Sequence, residues 1–187
     1  MSPLRIAACL LGAALATATA VAAQIDQHAS RIGFVLKTRW GQALQGQFPE
    51  YQGEVATLPD GRHQVRLRLS ARDMEIVGYP TYTRYARGSG FFDVARYPQL
   101  EFVSEPYPVS LLHSGGPLSG TLSIRSIARP QVFTISPASC ARPALDCDVV
   151  AVGSIRRGDY GMNRWDFALS DRVEFSLRIR VRDDGGT

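Results

Sequence analysis

The sequence predicts an all-β protein, an antiparallel closed β-barrel of about eight strands with one short helical insertion. Several segments alternate between apolar and polar residues, which is the pattern of strands that bury one face and expose the other. Turn-forming residues separate these segments, and only one short stretch is compatible with a helix. A two-sheet sandwich fits the same alternation. The long final strand and the isolated helical insertion favour the barrel.

The alternating segments follow one another along the chain. The clearest is Arg172–Arg182, and its predicted apolar face consists of Val173, Phe175, Leu177, Ile179 and Val181. The other predicted strands lie within Arg31–Lys37, Gln64–Arg72, Gln99–Glu105, Pro117–Ser126 and Asp148–Arg157. The helical insertion is predicted at Pro80–Arg87.

The first 23 residues have the composition of a secretory signal peptide. One positive charge, Arg5, precedes an apolar run that ends in small residues, so cleavage is predicted before Gln24. A membrane anchor is disfavoured because the run is short and rich in alanine. A lipoprotein signal ending at Cys9 would leave almost no hydrophobic stretch before the cysteine. The mature protein is therefore predicted to be exported, with no stable membrane insertion.

Residues 24–187 are predicted to form a single domain with a sizeable core. The whole chain has a net charge of +4, and removal of Arg5 with the signal peptide lowers it to +3. Lys37 is the only lysine, and the arginines are spread along the predicted strands. Such a mild and dispersed excess of positive charge does not indicate nucleic-acid binding.

Cys140 and Cys147 remain after the predicted cleavage. A closely spaced, even pair in an exported protein predicts a disulfide bond. In the chain-entropy account, closing so short a loop stabilises the fold by about 2–3 kcal/mol. A metal-binding or redox pair is the alternative, but the Cys-x-x-Cys spacing and nearby histidines are absent from the sequence.

The sequence offers no constellation for catalysis, so the protein is predicted not to be an enzyme. His28, His63 and His113 occur singly near predicted strand ends or turns, where solvated positions are expected. There is no Gly-x-Ser-x-Gly elbow and no cluster of histidines and carboxylates, so neither a metal nor a cofactor is predicted. Asp159 and Asp166 lie beside glycine-containing turns, where aspartates usually shape the turn.

Large aromatic residues on or beside the predicted strands suggest a cavity wall, because ligand pockets are largely apolar. Phe91 and Phe92 are adjacent, so they cannot both face one side of a strand, and Gly88–Gly90 precedes them. We therefore expect both in a loop that closes over the interior. Ordinary core packing is the alternative for any one of these residues. The predicted lining of an apolar lumen is Phe34, Trp40, Phe48, Phe91, Phe92, Phe102, Phe133 and Phe175.

Four segments in order resemble the YceI-like proteins, and the resemblance covers nearly the whole mature chain. Ser30–Val55 is similar to the family's opening strand, its turn into Gly-x-Phe and the return strand. Thr83–Glu105 resembles the central signature, a helix-like segment followed by Phe-Phe-Asp, Tyr-Pro and a strand ending in Phe-x-Ser. Leu118–Ile135 resembles the Gly-x-Leu-x-Ile strand and turn, and Gly153–Asn163 the Arg-x-Asp-aromatic-Gly-Met element. A His-Leu pair common in the family is Tyr85-Ala86 here.

The resemblance implies a lipocalin-like antiparallel barrel, exported to the periplasm, that holds an isoprenoid lipid in its lumen, such as a quinone or a polyprenyl lipid. It implies that Phe91 and Phe92 lie at the cavity entrance and that Asp93 turns the chain back toward the next strand. Polar residues at the mouth would select the head group, and the candidates are Arg84, Tyr85 and Arg87.

Two other functions remain open at this point. One is an enzyme acting on a hydrophobic substrate in the same cavity, which would need a buried ionisable group inside the barrel. The other is a non-catalytic stress or inhibitor-type interaction protein, which would have a solid core. The oligomeric state is also open between a monomer and a homodimer.

Overall fold

The structure, a computed structural model, describes residues 22–182 and consists mainly of β-strands. The strands are β1 (Ala22–Gln24), β2 (Arg31–Thr38), β3 (Ala43–Gln47), β4 (Tyr51–Thr57), β5 (His63–Ser70), β6 (Glu75–Ile76), β7 (Gln99–Ser104), β8 (Gly116–Ile124), β9 (Ile127–Ile135), β10 (Val149–Arg156) and β11 (Leu169–Ile179). Two short helices, α1 (Pro80–Arg87) and α2 (Leu111–Ser114), and a 3₁₀ turn (Arg157–Tyr160) lie between strands.

All eleven strands belong to one sheet, in the order β1-β4-β5-β7-β8-β9-β10-β11-β2-β3-β6. Each strand pairs antiparallel with its neighbours. The predicted all-β antiparallel class is therefore confirmed. The predicted closed barrel of about eight strands is wrong, because the sheet is a curled half-barrel of eleven strands.

The reason for the open ladder lies between β3 and β4. β3 pairs with β2 and β6, whereas β4 pairs with β5 and β1, so these two consecutive strands lie near opposite ends of the sheet. Only Phe48, Pro49 and Glu50 separate them. The covalent chain, rather than a hydrogen-bonded ladder, therefore links the two ends of the sheet. Proline also lacks the N–H group that a continued ladder would need at this bend.

The concave face of the sheet is apolar, and β11 shows this most clearly. Val173, Phe175 and Leu177 are buried, whereas Arg172 and Arg178 on the other face are exposed. The alternation predicted for this strand is confirmed from Val173 to Leu177, whereas Ile179 and Val181 are half-buried and Val181 lies beyond the end of the strand. Its period of two residues places every second side chain in the interior.

Helix α1 lies where the sequence predicts the helical insertion. Pro80 occupies its first turn, where the N–H group that proline lacks would have no partner within the helix. Thr83 ties the helix to the sheet, because its Oγ1 accepts a hydrogen bond of 2.8 Å from the N–H group of Ile76 in β6. The contact fixes α1 over one end of the half-barrel.

The loop between β9 and β10 carries the two cysteines. The Sγ atoms of Cys140 and Cys147 lie 2.05 Å apart, so the predicted disulfide fits the fold. Its formation in the cell stays a prediction. The loop is also attached to the end of the chain, because the N–H group of Val181 donates a hydrogen bond of 2.9 Å to the carbonyl of Ala144.

Most of the predicted signal peptide lies outside the described residues. Its last two residues, Ala22 and Ala23, belong to β1 and pair with Ala56 and Val55 of β4. Cleavage before Gln24 would remove both alanines. The bridge between Ile25 and Val181 would then hold this edge of the sheet.

Candidate ligand-binding site

The concave face of the sheet encloses two apolar cavities that lie end to end. Their volumes are about 310 Å³ for the first cavity and 350 Å³ for the second. Along β11, Leu177 lines the first cavity, Val173 lines the second, and Phe175 between them borders both. On β2, Ile32 lines the first cavity and Phe34 the second. Because the same strands line both, the cavities lie in series along the concave face, and we call the two together the lumen.

Segments outside the main ladder also line the first cavity. Leu112 of α2, Pro143 of the disulfide loop and Ile25 after β1 all line it. The disulfide loop and the first residues of the domain therefore contribute directly to this end of the lumen.

The second cavity lies beneath three segments at the opposite end. Trp40 comes from the turn between β2 and β3, Tyr85 from α1, and Trp165 and Phe167 from the loop 161–168. The ring centroids of Tyr85 and Trp165 lie 6.3 Å apart, and those of Trp165 and Phe167 lie 5.6 Å apart. These aromatic side chains form the mouth of the lumen.

Within residues 22–182, Phe175 is the one side chain that borders both cavities. The centroid of its ring lies 6.1 Å from that of Phe34. Phe34 in turn packs against Phe48 and Phe92, with centroid distances of 5.5 and 6.4 Å. Phe175 therefore stands between the two cavities.

Glycines on neighbouring strands let large rings lie flat against the wall. A β-carbon at Gly46 would overlap the ring of Phe34. A β-carbon at Gly120 would lie 2.6 Å from the ring of Phe102, and one at Gly153 would lie 2.7 Å from the ring of Phe133. All of these distances are too short for real contacts, so each ring occupies space that a side chain would fill elsewhere. Rings held in this way line the lumen without filling it.

The loop after α1 places both adjacent phenylalanines against the second cavity, as their sequence context predicts. The N–H groups of Phe91 and Phe92 donate hydrogen bonds to the carbonyls of Gly88 and Ala86, both of 3.0 Å, so the chain is a turn rather than a strand here. Both side chains line the cavity. Asp93 then turns the chain with a φ of 50°, in the left-handed region.

Arg157 holds the loop 161–168 in place. Its side chain is 2% exposed. The guanidinium donates to Oδ1 of Asp166 and to the carbonyls of Met162, Arg164, Leu169 and Ser170. These bonds use all five guanidinium N–H donors. Arg157 therefore positions Trp165 and Phe167 at the mouth, and no donor of Arg157 is left for a ligand.

Seven of the eight predicted lumen residues line a cavity: Phe102 and Phe133 the first, Phe34, Trp40, Phe91 and Phe92 the second, and Phe175 both. Phe48 does not, because it is 1% exposed and packs behind Phe34. Trp40 is 78% exposed and stands at the mouth rather than inside the lumen. The part that these residues take in binding stays a prediction.

The three predicted head-group residues are not brought together. Tyr85 lines the second cavity, whereas Arg84 and Arg87 border a separate polar hollow beside α1. Nε of Arg87 donates a hydrogen bond of 2.9 Å to the carbonyl of Met74. The fold therefore turns these two arginines away from the apolar opening.

Two polar side chains in the first cavity were missed from the sequence. His63 and Tyr107 both line it, and their rings meet edge to face with centroids 6.0 Å apart. The expectation of a solvated histidine is wrong for His63, which is half-buried. Burial lowers the pKa of His63 and raises the pKa of Tyr107 to about 12, so both side chains are uncharged at neutral pH.

Glu101 is the carboxylate on the wall of the first cavity, and it is paired. It accepts hydrogen bonds of 3.0 Å from Arg66 and 2.9 Å from Arg68. Burial raises the pKa of Glu101, but the bonds and charges of the two arginines outweigh burial, so the net shift is downward. Glu101 is therefore ionised at neutral pH and paired with Arg66 and Arg68.

The described part of the chain shows neither a metal cluster nor a membrane-spanning helix. In residues 22–182, no group of three or more histidine, cysteine, aspartate or glutamate side chains is placed to hold a metal ion. No helix in that range is long and apolar enough to cross a membrane. The lumen, with its apolar walls, is the concave site that the structure offers.

Solved structures of three bacterial proteins share this fold. BcnA from Burkholderia cenocepacia superposes with a TM-score of 0.68 at 18% identity, over 83% of this chain and 98% of BcnA. A polyisoprenoid-binding domain from Saccharophagus degradans, implicated in plant cell wall breakdown, has a TM-score of 0.64 at 14% identity, over 88% and 100%. The YceI protein of Campylobacter jejuni has a TM-score of 0.57 at 18% identity, over 73% and 84%. At such identities the similarity establishes the fold alone.

Sequence comparison identifies the family. Comparison with curated protein sequences gives no match. The family model of the YceI-like domain, however, matches residues 24–181, which include both cavities except Ala23 in the wall of the first. The protein therefore belongs to the YceI-like family.

Proposed function

We propose that the protein binds a long apolar lipid in its lumen, namely an isoprenoid chain such as the tail of a quinone or a polyprenyl lipid, and carries it in the periplasm. The observation that supports this most is that the two cavities lie in series along the concave face and meet at Phe175. A flexible chain longer than either cavity would have to pass that ring to occupy both.

The lining favours an uncharged ligand. Each methylene group moved from water to an apolar wall contributes about 0.8 kcal/mol, so a long chain needs no ion pair to bind. Arg157 has its donors engaged, Glu101 is paired with arginines, and His63 and Tyr107 are uncharged at neutral pH. The lumen therefore selects for length and apolar surface rather than for charge.

Two observations support lipid binding over a non-catalytic interaction protein. The Saccharophagus degradans domain is described as polyisoprenoid-binding, which supports this class of ligand. The cavities count against a non-catalytic interaction protein, which would have a solid core.

The direct test is mass spectrometry of organic extracts from protein purified without detergent. We expect a prenyl lipid in the extract of the wild type. Ala151→Phe should lower the lipid recovered per protein, because Ala151 is buried on the wall of the first cavity and the ring would fill it. Val152→Phe is the matched control, because Val152 is the next residue and is 46% exposed on the outer face.

Added ligand completes the test. Wild-type protein stripped of lipid should bind a prenylated quinone or a polyprenol, and Ala151→Phe should bind it more weakly while remaining folded by circular dichroism. If the wild type yields no lipid and binds neither compound, the proposal is wrong.

A further inference from the structure

The exposed aromatic side chains of the described chain are gathered at one end of the molecule. Within residues 22–182, those classed as exposed are Trp40, Tyr79, Tyr82, Tyr85, Trp165 and Phe167. Five of these six border the second cavity, and the sixth, Tyr79, stacks on Tyr82 with a centroid distance of 5.2 Å. We call these six residues the aromatic rim. Large exposed apolar side chains gathered in one patch mark an interaction surface, whereas single ones do not.

The aromatic rim is not explained by packing within the chain. Trp40 is 78% exposed and Phe167 is 76% exposed, although both are large and apolar. Phe167 belongs to the loop 161–168, which is held by hydrogen bonds from the buried side chain of Arg157. The fold therefore exposes apolar surface to water at the mouth of the lumen. This exposure is unfavourable in free energy, and a partner that covered the surface would remove the penalty.

The charge of the chain is concentrated on the same segments. The turn 37–42, the segment 79–90 with α1, and the loop 161–168 together contain five basic residues and one acidic residue. Their net charge of +4 equals the net charge of the whole chain. Without Arg5, which the predicted cleavage removes, the remaining residues carry a net charge of −1, so the positive excess of the mature chain lies on these segments.

We infer that the aromatic rim is a docking surface for an anionic phospholipid bilayer, through which the lipid ligand passes between the membrane and the second cavity. Tryptophan and tyrosine favour the bilayer interface, because their rings are apolar and carry a polar N–H or O–H group. Basic side chains beside them are attracted to anionic head groups. This inference names the source of the ligand and so rests on the proposed function.

A bilayer fits these features better than a second copy of the chain. Two copies docked rim to rim would bring together two surfaces of net charge +4 each, which disfavours their association. An anionic membrane instead neutralises that charge, and its interface accommodates the side chains of the aromatic rim. Docking in this orientation also places the opening of the lumen against the lipids, so the ligand need not cross water.

The test measures binding of the full chain to two kinds of vesicle by co-sedimentation: phosphatidylcholine alone, and phosphatidylcholine mixed with phosphatidylglycerol. We expect binding to the mixed vesicles and much less to the neutral ones. The double substitution Trp40→Ala with Phe167→Ala should abolish binding. The matched control is Val132→Ala with Val152→Ala, because both valines are exposed but lie on other strands away from the rim.

Charge is tested separately. Lys37→Gln with Arg39→Gln should weaken binding to the mixed vesicles about fivefold for each cation removed. Arg31→Gln with Arg178→Gln should leave vesicle binding unchanged, because these two exposed arginines pair across β2 and β11 at the end of the strands away from the rim. Neither Lys37 nor Arg39 lines a cavity of the lumen, so binding of a prenylated quinone in the absence of vesicles should also be unchanged.

The outcomes are distinguishable. Quinone binding without vesicle binding would overturn the docking inference and leave the proposed function intact. Vesicle binding without quinone binding would overturn the proposed function alone. The inference is also wrong if the rim substitutions change the oligomeric state in analytical ultracentrifugation instead of vesicle binding, because the rim would then be an interface between copies.

Discussion

The ring of Phe34 lies directly over Gly46, its partner on the adjacent strand, and occupies the space that a side chain at position 46 would take. This relationship keeps a large ring against the wall of the second cavity instead of across it. The pair therefore contributes to both the packing and the open volume of the lumen.

Gly46→Ala should destabilise the fold by about 1–3 kcal/mol, because the methyl group forces the Phe34 ring away from the wall. It should also weaken ligand binding, since the displaced ring narrows the lumen. Gly33→Ala is the control: Gly33 lies on the outer face of the same strand pair, where a β-carbon would meet only the carbonyl of Gly46, at 3.2 Å. Urea denaturation measures both variants, and an equal cost would contradict the assigned role of the glycine.

Phe48→Ala should cost more stability than Phe175→Ala, although both rings are buried. Phe48 is close-packed behind Phe34 and lines neither cavity, so its removal should cost about 3–5 kcal/mol. Phe175 already borders two cavities, so fewer contacts are lost and the cost should fall below about 3 kcal/mol. Chemical denaturation ranks the two. The reverse order would mean that the lumen is smaller than the structure shows.

Arg157→Lys should destabilise the protein by roughly 2 kcal/mol or more, because an ammonium group cannot satisfy the carbonyls that the guanidinium fork binds. Hydrogen exchange should rise in the loop 161–168, which this side chain holds. Arg156→Gln is the matched control: its side chain is 76% exposed and pairs with Asp171, so its loss should cost far less than that of Arg157. Unchanged exchange in the loop would be inconsistent with the positioning role.

Stability should decline as the pH falls from about 6.5 to 5, partly through His63. Burial lowers the pKa of His63 below its ordinary value of 6.5, so the unfolded chain binds more protons than the native one in this range. The contribution is therefore present above pH 6.5 and is lost as the pH falls through the lowered value. The free energy of unfolding, measured by denaturation at several pH values in this range, should depend less on pH for His63→Gln than for wild type.

Local periodicity was sufficient to predict the strand faces but not the closure of the sheet. The face of β11 could be predicted because alternation fixes which residues point inward. The strand number could not, because β1 and β6 have three and two residues and owe their pairing to distant parts of the chain. The bend at Pro49 that leaves the ladder open likewise depends on which strands flank it.

The sequence predicted the residue types that line the site, but not which of them face a cavity and which are packed behind its wall. Aromatic residues on predicted strands indicated the lumen, but alternation does not distinguish Phe48, packed behind the wall, from Phe34, which lines it. Arg157 is the arginine of the Arg-x-Asp-aromatic-Gly-Met element, but that element did not indicate its role, because its acceptors are mainly backbone carbonyls of a later loop. His63 was missed because its partner Tyr107 lies far along the chain.

Under the proposed function, the position of Phe175 also determines how many ligand molecules the protein can hold at once. A ligand short enough to fit one cavity leaves the other free, so two short molecules can occupy one protein, one on each side of the ring. A chain long enough to extend past Phe175 would occupy both cavities and exclude a second molecule from each. Calorimetric titration with prenyl alcohols of increasing length should therefore show the stoichiometry change from two to one as the chain outgrows a single cavity.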